Sequence, residues 1–155
     1  MQIEIPDELA AAVAEIAAKT GQDAQSLVAE MVTEAIKMRR VPGIIFAEGA
    51  TGRRARVGGT GIEVFEVIGL YEAVDRDRQK VQENLPQLDS YQIDMAISYC
   101  EAYPEDIRPY LLTDEEEIAA MEAFWEANPY ARPPWRRRPQ DAADAADSAA
   151  VKSRV

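Results

Sequence analysis

The first 40 residues constrain the fold most, because they hold one strand pattern and two amphipathic helix patterns that cannot bury one another. Ile3 and Ile5 alternate with polar residues, as in a half-buried strand, and a proline then ends the pattern. Helices are predicted over about residues 7–19 and 24–40. A lone strand exposes an unpaired edge, and amphipathic helices need a surface to pack against. The pattern predicts a homodimer in which two strands pair antiparallel and four helices share a core.

Local signals mark the ends of these two helices. Asp7 and Asp23 precede the apolar patterns and are predicted to be N-caps. Gly21, which tolerates a left-handed conformation, is predicted to close the first helix. A plain helical hairpin without a dimer is the alternative for this segment. The side chains predicted to form the shared dimer core are Ile3, Ile5, Leu27, Met31 and Val32.

The order of strand, helix, glycine turn and helix resembles the ribbon-helix-helix family, and residues 21–27 (GQDAQSL) are similar to its inter-helix signature. In that family the outward strand residues enter the major groove of DNA, which here implies Gln2 and Glu4. Glutamine can read adenine, whereas glutamate is repelled by phosphate and only occasionally reads cytosine. The resemblance therefore implies a dimerisation module, and whether this module also reads DNA stays open.

A second pattern begins after residues 41–43 (VPG), which break the second helix. Residues 44–46 and 55–57 predict two short strands, and residues 58–61 (GGTG) predict a tight turn. An apolar helix follows the turn. Asp75 is then predicted to cap a short helix, and Asp89 a third helix that ends at Pro104. The side chains that this third helix is predicted to bury are Ile93, Ala96, Ile97 and Cys100.

Residues 46–103 resemble the family catalogued as domain of unknown function 433. The motifs that carry the resemblance are residues 58–64 (GGTGIEV), 88–89 (LD) and 96–99 (AISY). It implies a compact winged-helix-like unit whose gene often lies beside that of a PIN-type or PIN-like ribonuclease toxin. Where the family usually shows a basic residue followed by Ile-Pro-Val, this chain reads GIEV at residues 61–64. The resemblance thus implies which kind of protein this chain acts with, but it implies no mechanism.

The chain has no histidine and a single cysteine, Cys100. It therefore lacks the usual base for a serine or cysteine nucleophile, and a structural zinc site is not expected. One cysteine forms no internal disulfide, and no apolar run approaches the roughly 20 residues that span a bilayer. We expect a cytoplasmic protein with no membrane contact, no cofactor and no enzymatic activity. A metal-dependent nuclease built on carboxylates is a rival, but the acids at residues 114–117 point in different directions on a helix.

The net charge of −11 opposes binding to nucleic acid, so any contact with DNA must come from a local basic patch. Arg53, Arg54 and Arg56 on the predicted hairpin form the basic cluster of the folded body. These arginines are, with the two strand residues above, the candidate DNA contacts.

The C-terminal part combines an acidic helix with a basic tail. Residues 113–130 predict a helix with six acidic residues and no basic one, opened by a capping box at residues 113–116 (TDEE). Residues 131–155 predict a tail that is disordered beyond about residue 139. PIN-type ribonucleases hold a metal with carboxylates, and in related antitoxins a C-terminal arginine commonly occupies that pocket. The residues expected to bind such a toxin are Ile118, Met121, Trp125, Arg132, Trp135, Arg136, Arg137 and Arg138. A solvated tail without a partner is the alternative.

These patterns predict a mainly α protein with short β elements. They divide it into a ribbon-helix-helix module (residues 1–40), a winged-helix-like domain (41–112), a C-terminal helix (113–130) and a basic tail (131–155). The expected function is that of a VapB-like type II antitoxin, a homodimer that sequesters a PIN-like ribonuclease toxin and could repress its operon by binding operator DNA. The alternative is a dimeric DNA-binding transcriptional regulator without a toxin partner.

Overall fold

A computed structural model describes residues 1–49, 52–111 and 115–128. Within these ranges the protein is mainly helical, with one two-stranded antiparallel sheet, which confirms the predicted fold class at that level. The ribbon-helix-helix and winged-helix-like assignments stay predictions. The helices are α1 (Asp7–Thr20), α2 (Ala24–Arg40), α3 (Val64–Ala73), α4 (Arg78–Asn84), α5 (Ser90–Ala102) and α6 (Glu115–Ala127), and the strands are β1 (Ile44–Gly49) and β2 (Gly52–Val57). None of the helices in the described ranges is long and apolar enough to cross a membrane.

The N-terminal helical pair, α1 and α2, begins and ends largely where local signals place it. Gly21 closes α1 in the left-handed conformation with a φ of 68°, and the side chain of Asp23 accepts a hydrogen bond from the backbone of Ser26. Both predictions are confirmed. The prediction of Asp7 as an N-cap is wrong, because Pro6 holds that position in an extended conformation. Asp7 is instead the first helical residue, where an acid still favours the helix dipole.

The strand predicted at the N-terminus is absent from residues 1–6, which the structure does describe. This prediction is wrong for the single chain. Its physical reason is that a strand needs a neighbour whose backbone groups pair with its own, and none lies beside this segment.

The core region, residues 41–111, packs a β-hairpin against α3, α4 and α5. In the hairpin Ile44 pairs with Val57 and Glu48 pairs with Arg53, so both strands are longer than predicted. Val57, Val64 and Tyr99 are among the side chains fully buried between these elements. The four side chains that α5 was predicted to bury are all inside, which confirms the predicted face of that helix.

Two details of the core region differ from the predictions. Asp77 caps α4, so the prediction of Asp75 was wrong. Asp75 and Arg76 both have positive φ values, 55° and 62°, and form the turn that ends α3. The chain also continues after α5 into two short 3-10 turns, Pro104–Asp106 and Arg108–Tyr110, which no local pattern predicted.

Candidate interaction surfaces

An apolar groove lies between the N-terminal segment and the helical pair. Its volume is about 710 Å³. The residues that line it are Ile5, Ala10, Val13, Ala24, Gln25, Val28, Ala29, Val32 and Thr33. Most of the residues that line it are alanines or larger aliphatic residues. The two polar ones, Gln25 and Thr33, belong to α2. Such a groove binds apolar side chains rather than a charged ligand.

Most of the side chains predicted to form a dimer core lie on the surface of the single chain. Ile3 is 73% exposed, Val32 is 52% exposed and Ile5 is 41% exposed. Met31 is also exposed, whereas Leu27 is buried within the chain itself. Three more aliphatic side chains of α1 and α2 share this exposure: Leu9, Ile16 and Ile36. A helical pair with this much exposed aliphatic surface has not completed its packing.

The backbone groups of residues 1–5 also lack partners, since they make no hydrogen bond to any other described residue. The first backbone bond of the segment is the one that Pro6 accepts from Ala10. Gln2 and Glu4, the predicted DNA-reading residues, are exposed on this segment. An extended segment with free backbone groups is suited to pairing with a second strand.

The three arginines of the hairpin are engaged by carboxylates. Arg53 donates two hydrogen bonds to Glu34 of α2, from Nε at 2.6 Å and from Nη2 at 2.8 Å. The hydrogen bond to Glu34 is also the main reason that the pKa of Arg53 is raised. Glu30 and Glu48 lie close to the same guanidinium, at 3.9 Å and 3.8 Å. Arg53 is therefore surrounded by negative charge.

Arg54 and Arg56 share a single carboxylate, that of Glu63, at 3.4 Å and 3.5 Å. The Arg54 guanidinium also stacks 4.0 Å from the centre of the Tyr110 ring. The Nε atom of Arg56 is buried and has no hydrogen-bond partner among the described residues. Each arginine of the predicted basic cluster is thus paired with a glutamate within the chain, and the predicted contact of the cluster with DNA stays a prediction.

A polar cleft of about 390 Å³ separates α2 from the hairpin and the 3-10 turns. Lys37 of α2 donates to Asp106 at 2.6 Å across it, and the Tyr99 hydroxyl donates to the same carboxylate oxygen from inside the core. Burial, together with this hydrogen bond, raises the pKa of Tyr99 far above its usual range. The sequence carries no local signal for this cluster, because Lys37 and Asp106 are 69 residues apart.

The C-terminal helix α6 carries three side chains that were predicted to contact a toxin, and that contact stays a prediction. Trp125, predicted to contact a toxin, is buried at 7% exposure, and Ile118 and Met121 are half-buried. Phe124 is instead the exposed aromatic side chain, at 51%. The capping-box residues 113–114 and the predicted arm residues Arg132, Trp135, Arg136, Arg137 and Arg138 lie outside the described residues.

The described ranges hold no group of three or more acidic, cysteine or histidine side chains positioned for a metal ion. Cys100 is buried, and its burial raises the pKa of the thiol, so little reactive thiolate forms at neutral pH. Its role is that of a small apolar side chain in the core.

Comparison of the chain with models of known protein families, with curated proteins and with solved structures found no match.

Proposed function

We propose that this protein is a dimeric antitoxin of the type II class, which sequesters a PIN-like ribonuclease. The observation that carries the dimer is the exposed apolar surface of the helical pair, centred on the groove beside Val32. A second copy would cover this surface and pair the free backbone of residues 1–5 with its own equivalent segment.

The charges favour a protein partner over DNA. The net charge is −11, and Arg53, Arg54 and Arg56 each have a glutamate within 3.5 Å. Binding to phosphate through these arginines would first have to break ion pairs that the fold already satisfies. The alternative, a DNA-binding regulator without a toxin, is therefore supported less well than the antitoxin.

The choice of a PIN-like ribonuclease rests on the sequence resemblance of residues 46–103 and on the chemistry of the tail. Such enzymes carry a pocket of carboxylates around a metal, and guanidinium groups pair with carboxylates through two parallel hydrogen bonds. Arg132 and residues 136–138 would supply these groups, and Trp135 an aromatic anchor. The exposed Phe124 of α6 adds an apolar contact just before the tail.

Deletion of residues 131–155 tests this proposal. Where a PIN-like reading frame lies beside the gene, the chain is co-produced with its product, and their binding affinity and the residual ribonuclease activity are measured. Since loss of a buried charge partner costs about 2–5 kcal/mol, the deletion should weaken binding by roughly 30-fold or more and restore ribonuclease activity.

Deletion of residues 140–155 is the matched control, because it removes the alanine- and aspartate-rich end but keeps the arginines. It should leave binding and inhibition unchanged. Full inhibition by the chain that lacks residues 131–155 would contradict the role of the tail. The absence of any PIN-like reading frame beside the gene, with tight sequence-specific binding of the purified chain to its promoter, would favour the regulator instead.

A further inference from the structure

The helical pair and the core region do not share an apolar interior. The buried apolar cluster of the core begins at Val41 and ends at Leu111. The buried side chains of the helical pair, Ala17 and Leu27, lie outside that cluster. The core cluster therefore reaches α2 only at its C-cap residue, Val41, and contacts other than apolar packing hold the rest of the helix against the core region.

Two ion pairs from one face of α2 make this connection. Glu34 receives both hydrogen bonds of Arg53 from β2, at 2.6 Å and 2.8 Å. Lys37, nearly one turn further along, donates to Asp106 at 2.6 Å. Glu34 and Lys37 lie three residues apart, which places them on the same side of the helix.

Aromatic side chains of the core region reinforce the second pair. The Lys37 ammonium lies 4.9 Å from the centre of the Tyr103 ring, and the Tyr103 hydroxyl accepts a 3.4 Å hydrogen bond from Arg40. Tyr99, fully buried in α5, donates to Asp106 and so holds the carboxylate in place from the core side. The position of the Asp106 carboxylate is thus fixed by a residue of the core region and not by α2.

Both pairs line the polar cleft, so neither is sealed from water. Their side chains reach water to different degrees: Arg53 is 37% exposed and Glu34 12%, while Asp106 is 26% exposed and Lys37 15%. Charges that reach water when a contact opens are rehydrated rather than left unpaired in an apolar interior. A connection of this kind can open without leaving an unpaired charge in an apolar interior.

We infer that the pairs Glu34–Arg53 and Lys37–Asp106 form an ionic latch that sets the orientation of the helical pair against the core region. In a dimer formed through the helical pair, the latch would fix the spacing of the two core regions and so the geometry in which a partner meets them. This inference goes beyond the antitoxin proposal and does not depend on which partner binds.

Distance measurements between spin labels test the latch. Labels are placed at the exposed sites Ala14→Cys on α1 and Glu101→Cys on α5, with Cys100→Ala to remove the native thiol. Labelled chains are diluted with unlabelled ones, so that only the distance within one chain is read. The unmodified latch should give one narrow distance distribution.

The variant Lys37→Met with Arg53→Met removes the cation of each pair but keeps its apolar stem. We expect a broader, shifted distribution with unchanged helical content by circular dichroism. The matched control, Lys19→Met with Arg78→Met, removes one lysine and one arginine from the exposed pairs with Glu15 and Asp94, and should keep the narrow distribution.

A narrow distribution in the latch variant, or equal broadening in the control, would overturn the inference. Should the latch variant fail to fold, Asp106→Asn decides the question. Its amide oxygen still accepts from Tyr99, while the charge that holds Lys37 is gone. A broader distribution in this variant supports the latch, and an unchanged one contradicts it.

Discussion

Glu66 is a half-buried acid in the first turn of α3, where its carboxylate accepts a 2.8 Å hydrogen bond from the backbone of Glu63. Burial is the main reason that its pKa is raised above the ordinary value of 4.5. The nearby charge of Glu63 acts in the same direction, while Arg56 acts against it. The folded state therefore favours the protonated form of this side chain more than the unfolded chain does.

When the pKa of a group is higher in the folded state than in the unfolded chain, protonation of that group stabilises the fold. This stabilisation is fully present at pH values below the pKa of the unfolded chain, and it is lost as the pH rises through the pKa of the folded state. Glu66→Gln keeps an acceptor for the Glu63 backbone and removes the buried charge. We expect a higher Tm than the unmodified chain at pH 7, with the difference shrinking as the pH falls through the raised pKa and lost below the ordinary value of 4.5. Glu66→Ala, which loses the acceptor, is the control and should not be stabilised. A gain that is equal at all pH values would contradict this account.

Arg76 carries backbone strain in the turn between α3 and α4, because its φ of 62° is left-handed. Glycine adopts this conformation freely, whereas other residues pay about 1–2 kcal/mol for it. We expect Arg76→Gly to stabilise the protein by up to about 1 kcal/mol, since part of the gain is offset by the greater freedom of glycine in the unfolded chain. Arg39→Gly, the same change in the last turn of helix α2, should destabilise it by up to about 1 kcal/mol. Urea unfolding measures both, and destabilisation by Arg76→Gly would show that the turn is not strained.

Helix α5 depends on a reciprocal cap at its start. Asp89 accepts a 2.8 Å hydrogen bond from the backbone of Gln92, whose side chain accepts one from the Asp89 backbone at 2.9 Å. The Gln92 amide also donates to the carbonyl of Gly58, which ties the helix to the turn after the hairpin. This cap thus positions the helix that carries Tyr99.

Asp89→Ala should lower the free energy of unfolding by about 1 kcal/mol, because the first turn of α5 loses its acceptor. Asp89→Asn keeps an oxygen in the same place and should lose much less. Chemical denaturation followed by circular dichroism gives both values. Equal losses in the two variants would mean that the charge, rather than the hydrogen bond, stabilises the helix.

Helix ends were predictable where one local signal decides them. Asp23 and Asp89 cap their helices through side-chain bonds to residues three positions along, and Gly21 supplies a conformation that other residues avoid. Asp75 failed as a predicted cap because two aspartates compete for that role. The backbone at the end of α3 puts Asp75 in a left-handed turn, and Asp77 caps instead.

Contacts between distant parts of the chain were not predictable in the same way. The Lys37–Asp106 pair joins residues 69 positions apart, and no pattern in either segment indicates the other. The arginines of the hairpin were visible as a basic cluster, but their pairing with Glu34 and Glu63 depends on how α2 and α3 pack beside β2. Charge read along a sequence overestimates the positive surface wherever the fold brings acids to it.

The whole molecule divides into a core region that buries its own apolar side chains and a helical pair that does not. Val57 and Val64 are fully buried in the former, while Ile3, Ile5 and Val32 are exposed on the latter. The segment before α1 forms a strand only if a second strand is supplied, so its state depends on association and not on the single chain. Dimerisation through this surface is the central claim.

Sedimentation equilibrium of the unmodified chain, Val32→Asp and Tyr91→Asp at micromolar concentration tests this claim most directly. Val32 is 52% exposed in the single chain, so an aspartate there should leave the monomer folded but would bury an unpaired charge in the dimer, at a cost of several kcal/mol. Tyr91, 55% exposed on the core region, is the matched control. We predict a dimer for the unmodified chain and for Tyr91→Asp, and a folded monomer for Val32→Asp. A well-folded monomer for the unmodified chain, or a dimer that Val32→Asp leaves intact, would contradict the account.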